Sequence, residues 1–156
     1  KLMHALRETK VTYLKPLILI ALETGLRLGE LIKLLWKDVD LDSRLLKARD
    51  TKNGDDRVIP LSNKSLSILV SLPRLDKAVF NASHLSLQNA WKRLIKRSGL
   101  IDLHFHDLRY EAISRFIERG LTIPEVASIS GHKAQSMLLR YAHPDLSYIK
   151  KKVMSF

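Results

Sequence analysis

The chain has 156 residues and no cysteine, and Lys plus Arg outnumber Asp plus Glu by 27 to 16, a formal net charge of +11. The length suits one domain with a real core, and 46% hydrophobic content lies in the globular range. The lack of thiols excludes disulfides, thiolate nucleophiles and Cys-type zinc sites, and agrees with a reducing cytoplasm. The longest apolar run, Leu17 to Leu22, is bounded by Lys15 and Glu23, far short of the roughly 18 residues that span a bilayer. No membrane partner is expected, and the positive excess points to a polyanion, with nucleic acid foremost.

Residues 12–24 carry Leu14, Leu17, Ile18, Ala21 and Leu22 at helical spacing, and Gly25 follows as a C-terminal cap. Residues 28–36 resume the pattern with Leu28, Leu31, Ile32, Leu35 and Trp36, so Arg27 falls at a junction between two helices. A charge among so many apolar neighbours needs a partner. Either Glu30, three residues on, or an anionic ligand would serve.

Three short strands are predicted at 39–41, 45–48 and 57–61. The segment DTKNGDD lies between the last two, with Asn53-Gly54 as a tight-turn signal and Lys52 beside it. Lys52 is either a solvated turn lysine or an ammonium carried on a hairpin. Pro60 fits an edge strand.

Residues 62–71 form an amphipathic helix capped by Ser62 or Asn63, and residues 78–80 a brief strand or extended link. A helix at 86–98 buries Leu87, Ala90, Trp91, Leu94 and Ile95 and turns out Lys92, Arg93, Lys96 and Arg97. That basic face suits a phosphate backbone, or is simply solvated. A helix at 107–119 has His106 at its entrance and Arg109 about one turn inside, near free N–H groups that favour an anion. Thr122 caps a helix at 124–130, Gly131 breaks it, and a further helix at 136–142 carries Tyr141. Residues 146–153 are one more helix or a loose tail.

The stretch from His104 to His143 contains His106-x-x-Arg109, then Gly131-His132, then Tyr141 and His143. Arginine presents a planar fork of donors to two phosphate oxygens, histidine can donate to the same group or move a proton, and tyrosine can form a covalent intermediate. Phosphoryl transfer depends mainly on positioning and electrostatics, and these residue types supply both.

The motifs together resemble the catalytic domain of the tyrosine recombinases, the phage-integrase family. TGLRLGEL resembles the first arginine box, TKNGDDRVIPL the mobile lysine hairpin, HDLR the His-x-x-Arg motif, SGH the second histidine and YAH the nucleophile segment. They occur in the family's order from Gly25 to His143. The segment departs from many relatives in having Tyr110-Glu111 after HDLR, where His-Thr is frequent.

The resemblance implies an α+β fold, mostly helical, with a small three-stranded antiparallel sheet. It implies a site-specific DNA recombinase that cleaves and rejoins strands through a 3′-phosphotyrosyl intermediate, with no metal, ATP or other cofactor. By matched position, Arg27, Arg109 and His132 would bind the scissile phosphate and Lys52 would be the general acid for the leaving 5′ hydroxyl. His106 would assist in proton movement or phosphate binding, Tyr141 would attack, and Glu30 would orient the catalytic groups. His143 receives no role. The implied partners are double-stranded DNA at recombination sites and further copies of the chain, a tetramer on DNA, in the cytoplasm at the nucleoid. Residues 1–156 would be one catalytic domain without the N-terminal domain that completes a DNA clamp, and residues 145–156 a contact tail.

Two other readings compete. TIPEVASISGHKAQSMLLRYAH resembles the two short helices of a non-catalytic helix-turn-helix protein. A metal hydrolase could draw on His104, His106, His132 and His143, but no HExxH-type spacing is present.

Overall fold

The computed structural model describes residues 1–49, 55–142 and 146–155. Helices α1 (Leu2–Ala5), α2 (Leu14–Thr24) and α3 (Leu28–Ile32) lead into a three-stranded antiparallel sheet ordered β1 (Val39–Asp40), β2 (Leu45–Ala48), β3 (Arg57–Pro60). Then follow α4 (Asn63–Ser71), α5 (His84–Ser98), α6 (Asp107–Glu118), α7 (Ile123–Ser130), two 3-10 turns (Gln135–Met137 and Leu139–Tyr141) and α8 (Leu146–Met154). The expected mostly helical α+β architecture with its small sheet is present. No helix among the described residues is long and apolar enough to cross a membrane.

Helix α2 is the central element. Leu14, Leu17, Ile18, Ile20 and Ala21 are fully buried, because α4 and α6 both pack against it. Its last turn is polar yet buried. The Thr24 hydroxyl donates to the Ile20 carbonyl at 2.6 Å, and Glu23 accepts from the Ser62 hydroxyl at 2.8 Å and pairs with Lys64 at 3.1 Å. Those contacts tie the end of α2 to the start of α4, where Ser62 also accepts from the Ser65 N–H. Such pairing is what makes a buried polar group tolerable.

The apolar interior has two parts. The larger joins α1 to α5 and the sheet, with Phe80, Trp91 and Leu94 prominent. The smaller gathers Ala112, Ile113, Phe116, Val126, Ala127 and Leu138, from α6, α7 and the first 3-10 turn's end. Helix α6 spans both, and α7 rests on β3 as well as on α6.

Two expectations are corrected. The helix expected over 28–36 ends at Ile32, because the chain leaves it to pair elsewhere. The Trp36 N–H donates to the Lys77 carbonyl, and the Val79 N–H to the Leu34 carbonyl. The extended link at 78–80 thereby makes one antiparallel bridge, between Leu35 and Ala78. The helix expected over 136–142 is instead the two 3-10 turns, with Leu138 as the buried anchor while Leu139 and Arg140 are exposed. A second recognition helix is thus missing from the place where the helix-turn-helix reading needs it. Residues 146–153, left open between helix and tail, are helical in α8.

Candidate active site

Two glycine turns bring distant parts of the chain to one point. Gly25 ends α2 at φ 65° and Gly131 ends α7 at φ 73°, the left-handed region that glycine enters without a steric penalty. Each turn leaves helix C-terminal carbonyls facing inward. Arg109 fills the gap between them: one guanidinium nitrogen donates to the Gly25 carbonyl at 2.6 Å and another to the Ser130 carbonyl at 2.6 Å. Helix C-termini carry partial negative charge, so both carbonyls suit a cation.

Arg109 is 2% exposed. Burial, with the charges of Arg27 and Arg57 nearby, lowers its pKa to about 10, still far above neutrality. The guanidinium is therefore a fixed, permanent positive charge, held by backbone carbonyls on two separate elements.

His132 follows directly on the Gly131 turn. Its Nδ1 lies 2.7 Å from the Ser130 hydroxyl and 3.4 Å from an Arg109 guanidinium nitrogen. Arginine can only donate, so Nδ1 accepts, and the proton of the neutral ring resides on Nε2. Burial, then the charges of Arg109, Arg27 and Arg57, lowers the His132 pKa to about 4. A neutral ring with Nε2–H is a hydrogen-bond donor without added charge.

Arg27 caps α3 with extended backbone, and its N–H donates to Glu30 Oε2 at 2.7 Å. Its guanidinium pairs with Glu30 Oε1 at 3.0 Å while its side chain stays 21% exposed. The salt bridge anticipated from the sequence exists, and it leaves part of the guanidinium accessible. Glu30 itself is buried and also receives Arg57, whose two terminal nitrogens donate to its two oxygens at 2.8 and 2.9 Å. Burial alone would raise the Glu30 pKa, but hydrogen bonds from Arg57 and the Arg27 backbone, with both cationic charges, hold it below the usual carboxylate range.

Arg57 is the residue that sequence reasoning missed. From the sequence it is only the first residue of the predicted strand at 57–61. In the fold it is buried, and beyond Glu30 its Nε donates to the Ile129 carbonyl at 2.5 Å. It also abuts Gly131, where an added Cβ would lie 3.2 Å from Arg57 Cδ. One side chain thus braces both the Arg27 corner and the His132 turn. The strand register could have revealed it. Side chains alternate along β3, so an inward Ile59 requires an inward Arg57 and an outward Val58, as found.

Tyr141 ends the second 3-10 turn, half-buried against the smaller apolar cluster. Burial and then the neighbouring Tyr110 raise its phenol pKa, while Arg140 and Arg109 oppose that rise. His106 precedes α6 and is exposed, with its ring edge-on to Tyr110 at 4.7 Å. Arg109 is therefore the hub: Arg27, Glu30, His132 and Tyr141 all lie within its electrostatic or hydrogen-bond reach, with His106 at the margin.

The remaining expected residues lie apart or outside. Lys52, with Asn53 and Gly54, lies outside the described residues, as does His143. Ala48 at the end of β2 pairs with Arg57 at the start of β3. Lys92, Arg93, Lys96 and Arg97 are all exposed on α5, but Arg97 is already engaged, donating to the Ala5 carbonyl at 2.9 Å and lying 3.9 Å from Glu8. It braces α5 against the N-terminal segment, which weakens the expectation that all four track DNA.

Among the described residues, one buried carboxylate, Glu30, pairs with guanidiniums at the site, those of Arg27 and Arg57. The arrangement can hold an anion with two non-bridging oxygens, place a neutral imidazole donor beside it, and offer a phenol as nucleophile.

Comparison with known proteins bears on this geometry. A model of the phage integrase family matches residues 1–147. The chain is 44% identical over 126 residues to the shufflon-specific DNA recombinase of Escherichia coli, which covers 80% of this chain and 33% of that protein. The chain thus spans a third of that curated relative's length. Among solved structures it is similar to the Tn1549 transposon integrase in complex with circular intermediate DNA, with TM-score 0.79, 21% identity, 99% of this chain and 63% of that one. It is also similar to the catalytic domain of bacteriophage HP1 integrase, with TM-score 0.75, 27% identity, 98% of this chain and 88% of that one.

Proposed function

Because the chain belongs to the phage integrase family, we propose that it is the catalytic domain of a site-specific DNA recombinase working through a 3′-phosphotyrosyl intermediate. The observation that carries this reading is the buried Arg109, held between two helix ends and flanked by Arg27 and His132, with Tyr141 close by. Arg27 and Arg109 clamp the non-bridging oxygens of the scissile phosphate, and His132 Nε2–H donates to the same group. The Tyr141 phenol gives up its proton to solvent as its oxygen attacks phosphorus, and the bond to the 5′ oxygen breaks. That oxygen takes its proton from the Lys52 ammonium. His106 serves proton movement or phosphate binding.

The phosphotyrosyl bond keeps the energy of the broken linkage. A 5′ hydroxyl from a partner strand then attacks phosphorus and releases Tyr141 with its proton restored, so no ATP is consumed. The two site arginines supply the positive charge that the pentacoordinate state requires. Glu30 and Arg57 hold these groups in register. Lys92, Arg93 and Lys96 serve as contacts to the DNA backbone beyond the reacting phosphate. Strand exchange needs several protomers on paired sites, a tetramer on double-stranded DNA at the nucleoid. Residues 145–156 dock on a neighbouring copy, consistent with the exposed apolar side chains of Leu146, Val153 and Met154 on α8.

The test is covalent trapping. The full chain is incubated with EDTA and a pool of nicked duplexes of randomised sequence, and denaturation-resistant protein–DNA adducts are collected. An adduct is expected from the wild type and none from Tyr141→Phe. DNA binding without any adduct from the wild type would favour a non-catalytic DNA-binding role instead.

A further inference from the structure

Tyr110 follows Arg109 on α6, and its ring stands between two side chains of the site. The Tyr141 ring stacks on it, with centroids 5.8 Å apart and planes inclined by 26°. The His106 imidazole meets it edge-on, with centroids 4.7 Å apart and planes inclined by 86°. Tyr110 is 39% exposed, so its ring is not simply a part of the core.

We infer that Tyr110 is a positioning residue whose ring is the platform that holds the Tyr141 phenol for attack. This inference rests on the strand-cleavage reading above.

The backbone around Tyr141 gives its ring few constraints. Its N–H donates to the Leu138 carbonyl at 3.0 Å within a single 3-10 turn. Leu139 and Arg140, just before it, are exposed, and Leu138 is the buried residue of that turn. A phenol on such a short turn can swing about two side-chain torsions. In-line attack tolerates little misplacement, since an error of about 1 Å can cost on the order of 100-fold in rate.

Tyr110 supplies what the turn lacks. It stands on a regular helix whose Leu108, Arg109, Ala112 and Ile113 are all buried, so its backbone is fixed by core packing. Offset ring pairs bias a ring's population by roughly twofold to tenfold. The stack therefore registers the nucleophile against the same helix that carries Arg109. The T-shaped contact of His106 with the Tyr110 ring extends that order to a third site residue. Nothing in this role requires the Tyr110 hydroxyl. The flat ring is what matters, and Tyr141 remains the nucleophile.

The experiment uses the full chain and a nicked duplex selected by the wild type from the randomised pool. Single-turnover adduct formation is followed for wild type, Tyr110→Phe and Tyr110→Leu, together with Kd for the same duplex and the thermal midpoint. Tyr110→Leu should slow adduct formation about tenfold, with Kd and midpoint close to wild type, and Tyr110→Phe should restore the rate. A general packing defect would move Kd and midpoint along with the rate.

A second readout does not depend on cleavage. In protein labelled with 3-fluorotyrosine, the Tyr141 fluorine resonance, identified by its loss in Tyr141→Phe, should move in Tyr110→Leu and stay near its wild-type position in Tyr110→Phe. Wild-type rates from Tyr110→Leu, or equal loss in Tyr110→Phe and Tyr110→Leu, would overturn the inference. No adduct from the wild type, with the resonance shift intact, would overturn the strand-cleavage reading and the role of Tyr110 with it. An adduct from the wild type with no resonance shift would overturn the stacking role alone.

Discussion

Arg57 shows how much one side chain can organise. It pairs with both oxygens of a buried carboxylate and holds a carbonyl on a second element. Removing it leaves the buried Glu30 carboxylate with Arg27 alone as its cationic partner, and breaking one side of a buried ion pair is costly. Arg57→Met should lower stability by about 3 kcal/mol, read as a fall in the urea midpoint. Glu30→Gln combined with Arg57→Met should cost less than the sum of the single changes, because the two share one interaction. Additive losses would show that the pair does not act as a unit. His132 makes a second prediction at this scale. Its folded pKa is about 4, against roughly 6.5 for an unfolded histidine. Between those values the unfolded chain binds more protons, so stability is present above about pH 6.5 and lost as pH falls toward 4. Urea midpoints across that window should fall more steeply for wild type than for His132→Gln, and equal slopes would contradict the buried neutral ring.

At the scale of elements, the sequence revealed most where periodicity and caps agreed. Helix α5 was expected over 86–98 and runs from His84 to Ser98, with Ser83 as its N-cap and Gly99 in the left-handed conformation after it. Helix α7 starts where Thr122 donates its N–H to Glu125, and ends at Gly131 as expected. The motif residues Arg27, Arg109 and His132 could be found because each stands at or beside such a boundary. Two features escaped. Met137, Leu138 and Tyr141 have helical spacing, but the short segment after Gly131 makes 3-10 turns around Leu138, because tertiary anchoring outweighs weak local propensity in so short a piece. Arg57 escaped because a charged residue at a strand's first position looks like an edge, whereas the strand's register turns it inward. The α8 helix carries the prediction that belongs here. Deleting residues 146–156 should leave binding to a single site nearly unchanged but reduce cooperative assembly on paired sites, as read by analytical ultracentrifugation of the DNA complexes. Unchanged assembly would remove the tail from the account.

Across the whole molecule, the site lies where the two parts of the interior meet. Helix α2 ends there from the larger cluster, α7 ends there from the smaller, and α6 belongs to both. Neither part alone can hold Arg109, since one of its carbonyl partners comes from each. The chain's formal charge of +11 adds a long-range attraction for a polyanion. On the proposed function, the buried guanidinium and the nearby phenol act together at a DNA phosphate. The most direct measurement is the identity of the residue joined to DNA. Adducts trapped on the nicked duplex should be digested and their nucleotide-bearing peptide sequenced by tandem mass spectrometry. The account predicts a single modified residue, Tyr141, joined to the 3′ phosphate. Attachment at Tyr110, or through a 5′ phosphate, would contradict it.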